Sequence, residues 1–224
     1  MKQAVLIPMV RSPKKGFVKR RLAADIGDEA ALELYRSFVL DLMDSIGGIK
    51  ADIMVGYFPK EDLGLVRDWL GGGLRFVSQS GKDLGERQAS LLEQAFAMGY
   101  SRAAVMISDA PDIPVSFIDD AFMIMDSSDS VIGPCYDGGY YLIGFRREGF
   151  RPVLFSGMKW GIPSVSMEMK KQMTDSGLDH ADIPPWWDID SREDLLAFHE
   201  RALKSGSGKR TISYIRSSGV LHEG

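Results

Sequence analysis

Six cationic side chains are crowded into eleven residues near the start of a chain whose formal net charge is -4. They are Arg11, Lys14, Lys15, Lys19, Arg20 and Arg21. Arginine offers a planar fork of donors, lysine a mobile point charge, and Gly16 lets the backbone approach an anion. The stretch lacks the spacing of a phosphate-binding P-loop, so side chains would do most of the binding. A phosphate site is one interpretation, and a solvated basic surface is the other.

Two acidic stretches have the composition of a cation site. In "SDAPDIP", Asp109 directly follows an apolar run, where burial penalises a free carboxylate unless it caps a turn or binds a cation. In "WWDIDSREDL", Ser191 followed three residues later by Asp194 predicts a helix N-terminus. Capping leaves Asp188 and Asp190 without a role. For Asp109, both turn capping and cation binding remain open.

The stretch "SVIGPCYDGGYYLIGFRR" has more features than a turn requires. Asp137-Gly138 between two β-rich apolar runs is a strong signal for a β-hairpin. The additional Gly139 and the two adjacent tyrosines, of which Tyr140 is the first, are also suited to close approach of a ligand. The plain hairpin and a ligand-binding hairpin are both consistent with this stretch.

The sequence of the first 130 residues predicts the elements that would position these side chains. Uniformly apolar runs at 4–10 and 102–108 are typical of central strands that are covered on both faces. The predicted strands are 4–10, 51–58, 74–80 and 102–108, and the predicted helices are 28–46, 61–70, 84–100 and 116–127. This alternation predicts parallel βαβ units in a layered α/β sheet, with closely spaced antiparallel strands after about residue 130. Ligands of such sheets bind beyond the carboxyl ends of the strands, which is where the basic and acidic stretches fall.

The length of 224 residues suits one large domain, which we place at 1–203. Residues 204–224 are rich in serine, glycine and basic side chains, and we expect a flexible tail there. The alternative is that "TISYI" within this segment docks on the sheet as an edge strand.

Composition excludes several classes of protein. A single cysteine, Cys135, allows no internal disulfide and is typical of a reducing compartment. The slightly acidic net charge argues against nucleic acid as the main partner. No apolar run of the length of a membrane span or a secretory signal is present, so we expect a cytoplasmic protein without membrane insertion. The oligomeric state stays open, with a homodimer as one option.

Taken together, the motifs resemble a bacterial family of GT-A-type glycosyltransferase-like proteins in the nucleotide-diphospho-sugar transferase superfamily, of the uncharacterised or arsenosugar-biosynthesis-like kind. The resemblance runs from "LIPMVRSPKKGFVKRRLAADIG" through "DLGER", "SDAPDIP", "GPCYDGGYYLIG" and "MKWGIPSV" to "DIDSREDL". It implies a three-layer α/β/α, Rossmann-like GT-A fold with a mixed, mostly parallel central sheet. It also implies a nucleoside diphosphate and a divalent metal, Mg²⁺ or Mn²⁺, as ligands.

The resemblance assigns roles to particular residues. Lys19 and Arg21 match the basic positions that hold phosphate and assist catalysis, and Asp109 and Asp190 match the metal carboxylates. The expected nucleotide-binding residues are Arg11, Lys19, Arg21, Asp83, Leu84, Gly85 and Arg87. The expected acceptor-side residues are Gly138, Gly139, Tyr140 and Trp160, with Asp137 as the base. The family usually carries two hydroxyl residues after the tryptophan, whereas this chain has Gly161 and Ile162.

The expected function is metal-dependent transfer of a sugar from a nucleotide-activated donor to a small-molecule acceptor. One alternative is a nucleotidyltransferase, which attacks the α-phosphorus of a nucleoside triphosphate and releases pyrophosphate. The other alternative is a nucleotide-binding protein without turnover, which the departures at Gly161 and Ile162 make worth testing.

Overall fold

A computed structural model describes residues 2–221 of the chain. Seven strands are found within these residues, and each begins or ends close to an apolar run of the sequence. They are β1 (Lys2–Arg11), β2 (Asp52–Phe58), β3 (Arg75–Ser78), β4 (Tyr100–Met106), β5 (Ser130–Pro134), β6 (Tyr140–Arg146) and β7 (His180–Asp182). The α-helices of the same residues are α1 (Arg20–Ile26), α2 (Asp28–Ile46), α3 (Leu63–Leu70), α4 (Leu84–Ala97), α5 (Val115–Ile124), α6 (Val165–Asp175), α7 (Arg192–Ser205) and α8 (Lys209–Ser218).

The strands form one sheet in the order β3-β2-β1-β4-β6-β5-β7. Strand β6 runs antiparallel to both of its neighbours, and the other pairs are parallel. The predicted three-layer α/β/α fold with a mixed, mostly parallel sheet is therefore confirmed. Because all strands except β6 run in one direction, their carboxyl ends meet at one edge of the sheet.

The central strands are uniformly apolar because both of their faces are buried. On β1, Val5 and Ile7 pack into a core with α4 and α6, whereas Leu6 packs into a core with α2 and α5 on the opposite face. All three side chains are fully buried. This two-sided burial is the reason why the strand shows no polar alternation.

The predicted hairpin is present, with β5 and β6 joined by residues 135–139. The Cys135 amide donates to the Gly139 carbonyl over 2.9 Å, and the Gly138 amide donates to the Cys135 carbonyl over 3.1 Å. A register shift lies between Gly133 and Pro134, just before the turn. The turn lies at the carboxyl edge of the sheet, so the hairpin and the ligand edge coincide.

The segment after residue 204 is not a flexible tail, because residues 209–218 form α8. Thr211 and Ile212 of this helix are buried, and Ile212 packs against α2 and α7. The Asp41 carboxylate of α2 accepts hydrogen bonds from the amides of Arg210 and Thr211, both over 2.9 Å. It also accepts one from the Thr211 hydroxyl, over 2.7 Å. The alternative of an edge strand at "TISYI" is also wrong, and residues 222–224 of the expected tail lie outside the described residues.

We expect truncation after Lys204 to lower the melting temperature by roughly 5 to 15 °C. The truncation removes two buried isoleucines, Ile212 and Ile215, and the hydrogen-bond partners of the buried Asp41 carboxylate. We expect these losses together to lower the free energy of unfolding by about 2 to 4 kcal/mol. Thermal unfolding of the two proteins measures the difference. The control is Arg210→Ala, which removes only an exposed ion pair with Asp44 and should leave the melting temperature close to that of the parent. An unchanged melting temperature on truncation would show that α8 adds nothing to the core.

Within residues 2–221, no helix is long and apolar enough to cross a membrane.

Candidate active site

Lys19 lies between two of the predicted metal carboxylates at the carboxyl edge of the sheet. Its Nζ donates to Asp109 Oδ2 in a short hydrogen bond and to Asp190 Oδ1 over 2.7 Å. Asp109 follows β4, Asp190 precedes α7, and the Lys19 side chain is 5% exposed. The structure therefore brings three residues together from positions up to 171 apart in the sequence.

The backbone of Lys19 is left-handed, with φ 46° and ψ 46°, which is unusual for a residue other than glycine. This conformation costs about 1 to 2 kcal/mol for an L-residue. Lys19 occupies the N-cap position of α1, but its side chain makes no capping hydrogen bond there. The side chain binds the two carboxylates instead. We infer that these ion pairs hold the strained backbone in place.

The charges at this centre support one another. Burial disfavours the charged form of Lys19, but the attraction of Asp109 and Asp190 outweighs it and raises the lysine pKa above its usual range. Burial alone would raise the pKa of Asp190, but Lys19 and, to a smaller extent, Arg21 lower it. Lys19 is therefore an ammonium and Asp190 a carboxylate at neutral pH.

A second group of potential ligands lies beside this centre, in the loops after β5 and β7. The Cys135 sulfur and carboxylate oxygens of Asp137 and Asp188 lie within 4.8 Å of one another. Asp188 is half-buried and has no hydrogen-bond or ion-pair partner within residues 2–221. Burial, followed by the nearby carboxylates, raises the pKa of Asp188 to about 7. Burial and the same acidic neighbours raise the pKa of the Cys135 thiol far above its usual range, so it packs as a neutral side chain.

The six cationic residues of the basic stretch do not all lie at the carboxylate centre. Lys14 pairs with Asp62 over 2.6 Å and Lys15 with Glu29 over 3.2 Å, both near the surface. Arg21 is 76% exposed and lies 3.5 Å from Asp190, so it can reach a ligand at the carboxylate centre. Part of the basic stretch is thus solvated surface, and only Lys19 and Arg21 contact the centre.

Arg11 and Arg87 lie on a pair of stacked rings, which are Phe17 and Phe58. The ring centroids are 6.2 Å apart, the Arg87 guanidinium lies 3.9 Å from the Phe58 centroid, and that of Arg11 lies 5.7 Å from the Phe17 centroid. Burial and then the neighbouring Arg11 lower the pKa of Arg87. Neither arginine forms an ion pair with a carboxylate of residues 2–221, so both are suited to an anionic ligand or to the carbonyl edge of a base.

The remaining residues predicted to bind nucleotide act within the protein in this structure. Asp83 caps α4 by accepting the Glu86 amide over 2.8 Å, and Leu84 is exposed. A Cβ at Gly85 would lie 2.5 Å from the Trp160 ring and 2.7 Å from the Phe155 carbonyl. The absence of a side chain at Gly85 is therefore explained by the packing of Trp160 rather than by a ligand.

The acceptor-side predictions need correction at several positions. A Cβ on Gly138, whose φ is 92°, would lie 1.9 Å from the Pro163 carbonyl, so the close approach at this glycine is to the protein itself. The Asp137 carboxylate accepts the Gly139 amide over 2.8 Å. Tyr140 is buried, donates to Gln88 over 2.5 Å and packs edge-on against Trp160, so it offers no free face for an acceptor.

The exposed aromatic residues at this edge were not among the predicted site residues. Tyr136 is 58% exposed and stacks on Trp187, with ring centroids 4.2 Å apart and planes at 26°. Each of these two aromatic residues precedes an aspartate of the cluster, Asp137 or Asp188. The sequences "CYD" and "WWD" could have identified these residues, because both place an aromatic residue directly before an aspartate in a loop of the ligand edge.

The raised pKa of Asp188 predicts a fall in stability as the pH rises. The carboxyl has a pKa of about 3.9 in the unfolded chain and about 7 in the folded one. The folded state therefore binds more protons between these values, and the free energy of unfolding decreases from about pH 4 to about pH 7. We expect a contribution of about 1 to 3 kcal/mol, which Asp188→Asn should abolish. Urea unfolding across this range, with chelator present, measures the effect.

The exposed Asp68→Asn is the matched control and should keep the pH dependence of the parent. A parent-like dependence in Asp188→Asn would contradict the assignment.

The side chains at this centre fit a divalent cation of the oxygen-seeking kind. Around Asp188 lie the carboxylates of Asp109, Asp137 and Asp190, and Lys19 and Arg21 are the cations that contact them. The Oδ1 atom of Asp109 is buried and has no hydrogen-bond partner in the part of the chain that the structure describes. Excess negative charge and an unused buried carboxylate oxygen suit Mg²⁺ or Mn²⁺, whereas the neutral Cys135 thiol does not suit a thiolate-bound metal.

The fold and this edge of converging acidic and basic side chains define a nucleotide-diphospho-sugar transferase-like protein. More narrowly, the chain belongs to the family described as "Uncharacterized protein conserved in bacteria (DUF2064)", which matches residues 46–162. A crystal structure from Desulfovibrio desulfuricans G20, provisionally described as a nucleotide-diphospho-sugar transferase, shares 35% identity. That similarity covers 99% of this chain and 97% of the other, with a TM-score of 0.91. The resemblance inferred from the motifs is thereby confirmed.

More distant structures share the fold. A 4-diphosphocytidyl-2C-methyl-D-erythritol synthase from Anaerococcus prevotii DSM 20548 has 14% identity and a TM-score of 0.58, covering 91% of this chain and 96% of that one. A CMP:2-keto-3-deoxy-manno-octonic acid synthetase in complex with CTP has 11% identity and a TM-score of 0.56, and the similarity covers 92% of this chain and 99% of that one. No curated protein matches the chain. The structural neighbours thus include nucleotidyltransferases as well as nucleotide-diphospho-sugar transferases.

Proposed function

We propose that this protein transfers a sugar from a nucleotide-activated donor to a small-molecule acceptor in a metal-dependent reaction. The observation that carries the proposal is the convergence of Lys19, Asp109 and Asp190 at the carboxyl edge of the sheet. Membership of the family and the 35% identity to a nucleotide-diphospho-sugar transferase candidate support it.

In this proposal Asp109 and Asp190 hold Mg²⁺ or Mn²⁺, which would neutralise the charge that develops on the leaving diphosphate. Lys19 and Arg21 donate hydrogen bonds to the phosphate oxygens and stabilise the same charge. Lys19 already pairs with both carboxylates, so its ammonium must exchange at least one of them for a phosphate when the donor binds.

The other predicted residues fit around this centre. Arg11 and Arg87, on their stacked phenylalanines, are proposed to bind the base or the distal phosphate, and the segment from Asp83 to Arg87 is proposed to lie beside the nucleotide. Asp137 is proposed to accept the proton of the acceptor hydroxyl. One of its carboxylate oxygens binds the Gly139 amide, and this bond fixes the orientation of the group.

A nucleotidyltransferase is the second candidate, because the same fold occurs in the synthetases that make CMP and diphosphocytidyl conjugates. It would use the same carboxylates and the same lysine. The difference lies in the phosphorus that is attacked and in the product that leaves.

One experiment separates these candidates from a protein that only binds nucleotide. Purified protein is incubated with Mn²⁺ and either nucleotide sugars or nucleoside triphosphates labelled at the α-phosphorus, and the products are resolved. Release of nucleoside diphosphate or monophosphate from a nucleotide sugar supports sugar transfer, whereas transfer of the α-labelled nucleotidyl group from a triphosphate to the acceptor, with loss of unlabelled pyrophosphate, supports nucleotidyl transfer. Binding without either product over a broad panel of acceptors would overturn both. Asp109→Asn is the control for contaminating activity.

A further inference from the structure

Tyr136 presents an aromatic ring to solvent at the ligand edge. The ring is 58% exposed, although one of its faces is covered by Trp187. An exposed aromatic ring beside a candidate active site offers a flat apolar surface on which the ring of a ligand can pack.

The ring is held by a layered support. The Arg201 guanidinium lies 4.6 Å from the Trp187 ring centroid, on the ring that carries Tyr136. Arg201 in turn binds Asp112 over 2.9 Å, and the Asp112 side chain is only 2% exposed. Asp112 also accepts the Trp186 indole N–H over 3.2 Å. The support therefore rests on a buried ion pair and leaves Tyr136 with little freedom to move.

The backbone joins the two aromatic segments as well. The Tyr136 amide donates to the Trp186 carbonyl over 3.2 Å, and the Trp186 amide donates to the Pro134 carbonyl over 3.0 Å. These bonds place the loop after β5 beside the loop after β7, and they fix Asp137 and Asp188 within reach of one another. A rigid aromatic face thus lies next to two carboxylates, one of which has no partner within residues 2–221.

We propose that the free face of Tyr136 is the platform for the acceptor, and that the acceptor is an uncharged, hydroxylated ring of the pyranoside class. The C–H face of such a ring packs on the electron-rich face of an aromatic side chain. Its hydroxyl groups can donate hydrogen bonds to the carboxyl oxygens of Asp137 and Asp188. This inference rests on the proposed function, since it names the acceptor of that reaction.

The acidic residues near Tyr136 favour an uncharged ring compound over an anionic one. The carboxyl groups of Asp109, Asp137, Asp188 and Asp190 lie near one another. Within residues 2–221, Lys19 pairs with Asp109 and Asp190, Arg21 pairs with Asp190, and Asp137 and Asp188 have no ion pair. A phosphorylated or carboxylated acceptor would therefore bring like charges together. A neutral ring avoids this repulsion. We therefore expect a methyl hexoside to bind more tightly than the corresponding hexose 6-phosphate.

Binding of methyl hexosides to the protein without nucleotide or metal tests the platform, by saturation-transfer difference NMR. We expect the ring C–H protons of at least one hexoside of a gluco, galacto and manno panel to receive saturation. Tyr136→Leu keeps an apolar side chain but removes the ring, and should weaken this binding about tenfold. Tyr136→Phe keeps the ring and should bind like the parent. Met123→Ala, which alters an exposed apolar residue on α5, is the surface control.

The outcomes separate this inference from the proposed function. Nucleotide binding in the absence of hexoside binding would overturn the platform and leave the transferase proposal standing. Hexoside binding that depends on Tyr136 would support the platform even if no nucleotide sugar were consumed. Equal binding to Tyr136→Leu and the parent, or tighter binding of hexose 6-phosphate, would overturn the inference.

Discussion

Asp109→Asn and Asp190→Asn should each abolish the metal-dependent part of nucleotide binding. Both carboxylates contact the same lysine nitrogen, so they lie close enough to share one cation. An amide in place of either carboxylate removes a full negative charge from the centre, and we expect at least a tenfold loss of affinity in the presence of Mn²⁺. Calorimetric titration with a nucleoside diphosphate, with and without Mn²⁺, measures this part.

The double variant is the sharper test. If the two carboxylates act on one ion, the double variant should lose little more than either single one, because the first substitution already removes the site. Losses that add would assign the carboxylates to independent roles. Asp126→Asn, at an exposed carboxylate that pairs with Arg102, is the matched control and should bind nucleotide like the parent.

Lys19→Met should lower the stability of the metal-free protein by about 3 to 5 kcal/mol, because it removes the lysine that pairs with both Asp109 and Asp190 and leaves only the exposed Arg21 near Asp190. The same change should make the protein respond to Mn²⁺ alone. In the parent the ammonium occupies the space between the carboxylates, whereas in the variant a cation can enter without displacing it. A ligand that binds only the folded state stabilises it, so Mn²⁺ should raise the melting temperature of the variant more than that of the parent.

Thermal unfolding with chelator and with Mn²⁺ gives both quantities in one set of scans. Arg21→Met is the control, since Arg21 is 76% exposed and its contact of 3.5 Å with Asp190 adds little stability. A Lys19→Met protein that is as stable as the parent, or that ignores Mn²⁺, would show that the lysine does not stand in for a cation.

The sequence predicted the sheet because its central strands carry an unusual pattern. Val5, Leu6 and Ile7 are all buried, and a run without polar alternation has few explanations other than a strand covered on both faces. The convergence of Asp109 and Asp190 was also predictable, since each follows or precedes an element whose end lies at the ligand edge. The metal role of these carboxylates stays a prediction.

The rest depended on contacts between distant segments. Helix α1 has seven residues and follows a left-handed lysine at its N-cap, so its local sequence gives little helical signal. Helix α8 has its N-terminus satisfied by Asp41, which lies 170 residues earlier and which no local capping rule can identify. Tyr136 is exposed because it lies in the turn between β5 and β6, whereas Tyr140 begins β6 and is buried against Gln88 of α4. The sequence does not show where the turn ends and the strand begins.

The capping of α8 by Asp41 has a consequence for the way in which the chain folds during synthesis. Synthesis proceeds at about 5 to 20 residues per second, so roughly 10 to 30 s pass between the synthesis of Asp41 and that of Thr211, 170 residues later. In that interval the apolar surface of α2 that later receives Ile212 and Ile215 stays open to other chains. Nascent chains stalled before residue 209 should therefore expose this surface and bind chaperones more strongly than chains in which α8 has emerged and covers it.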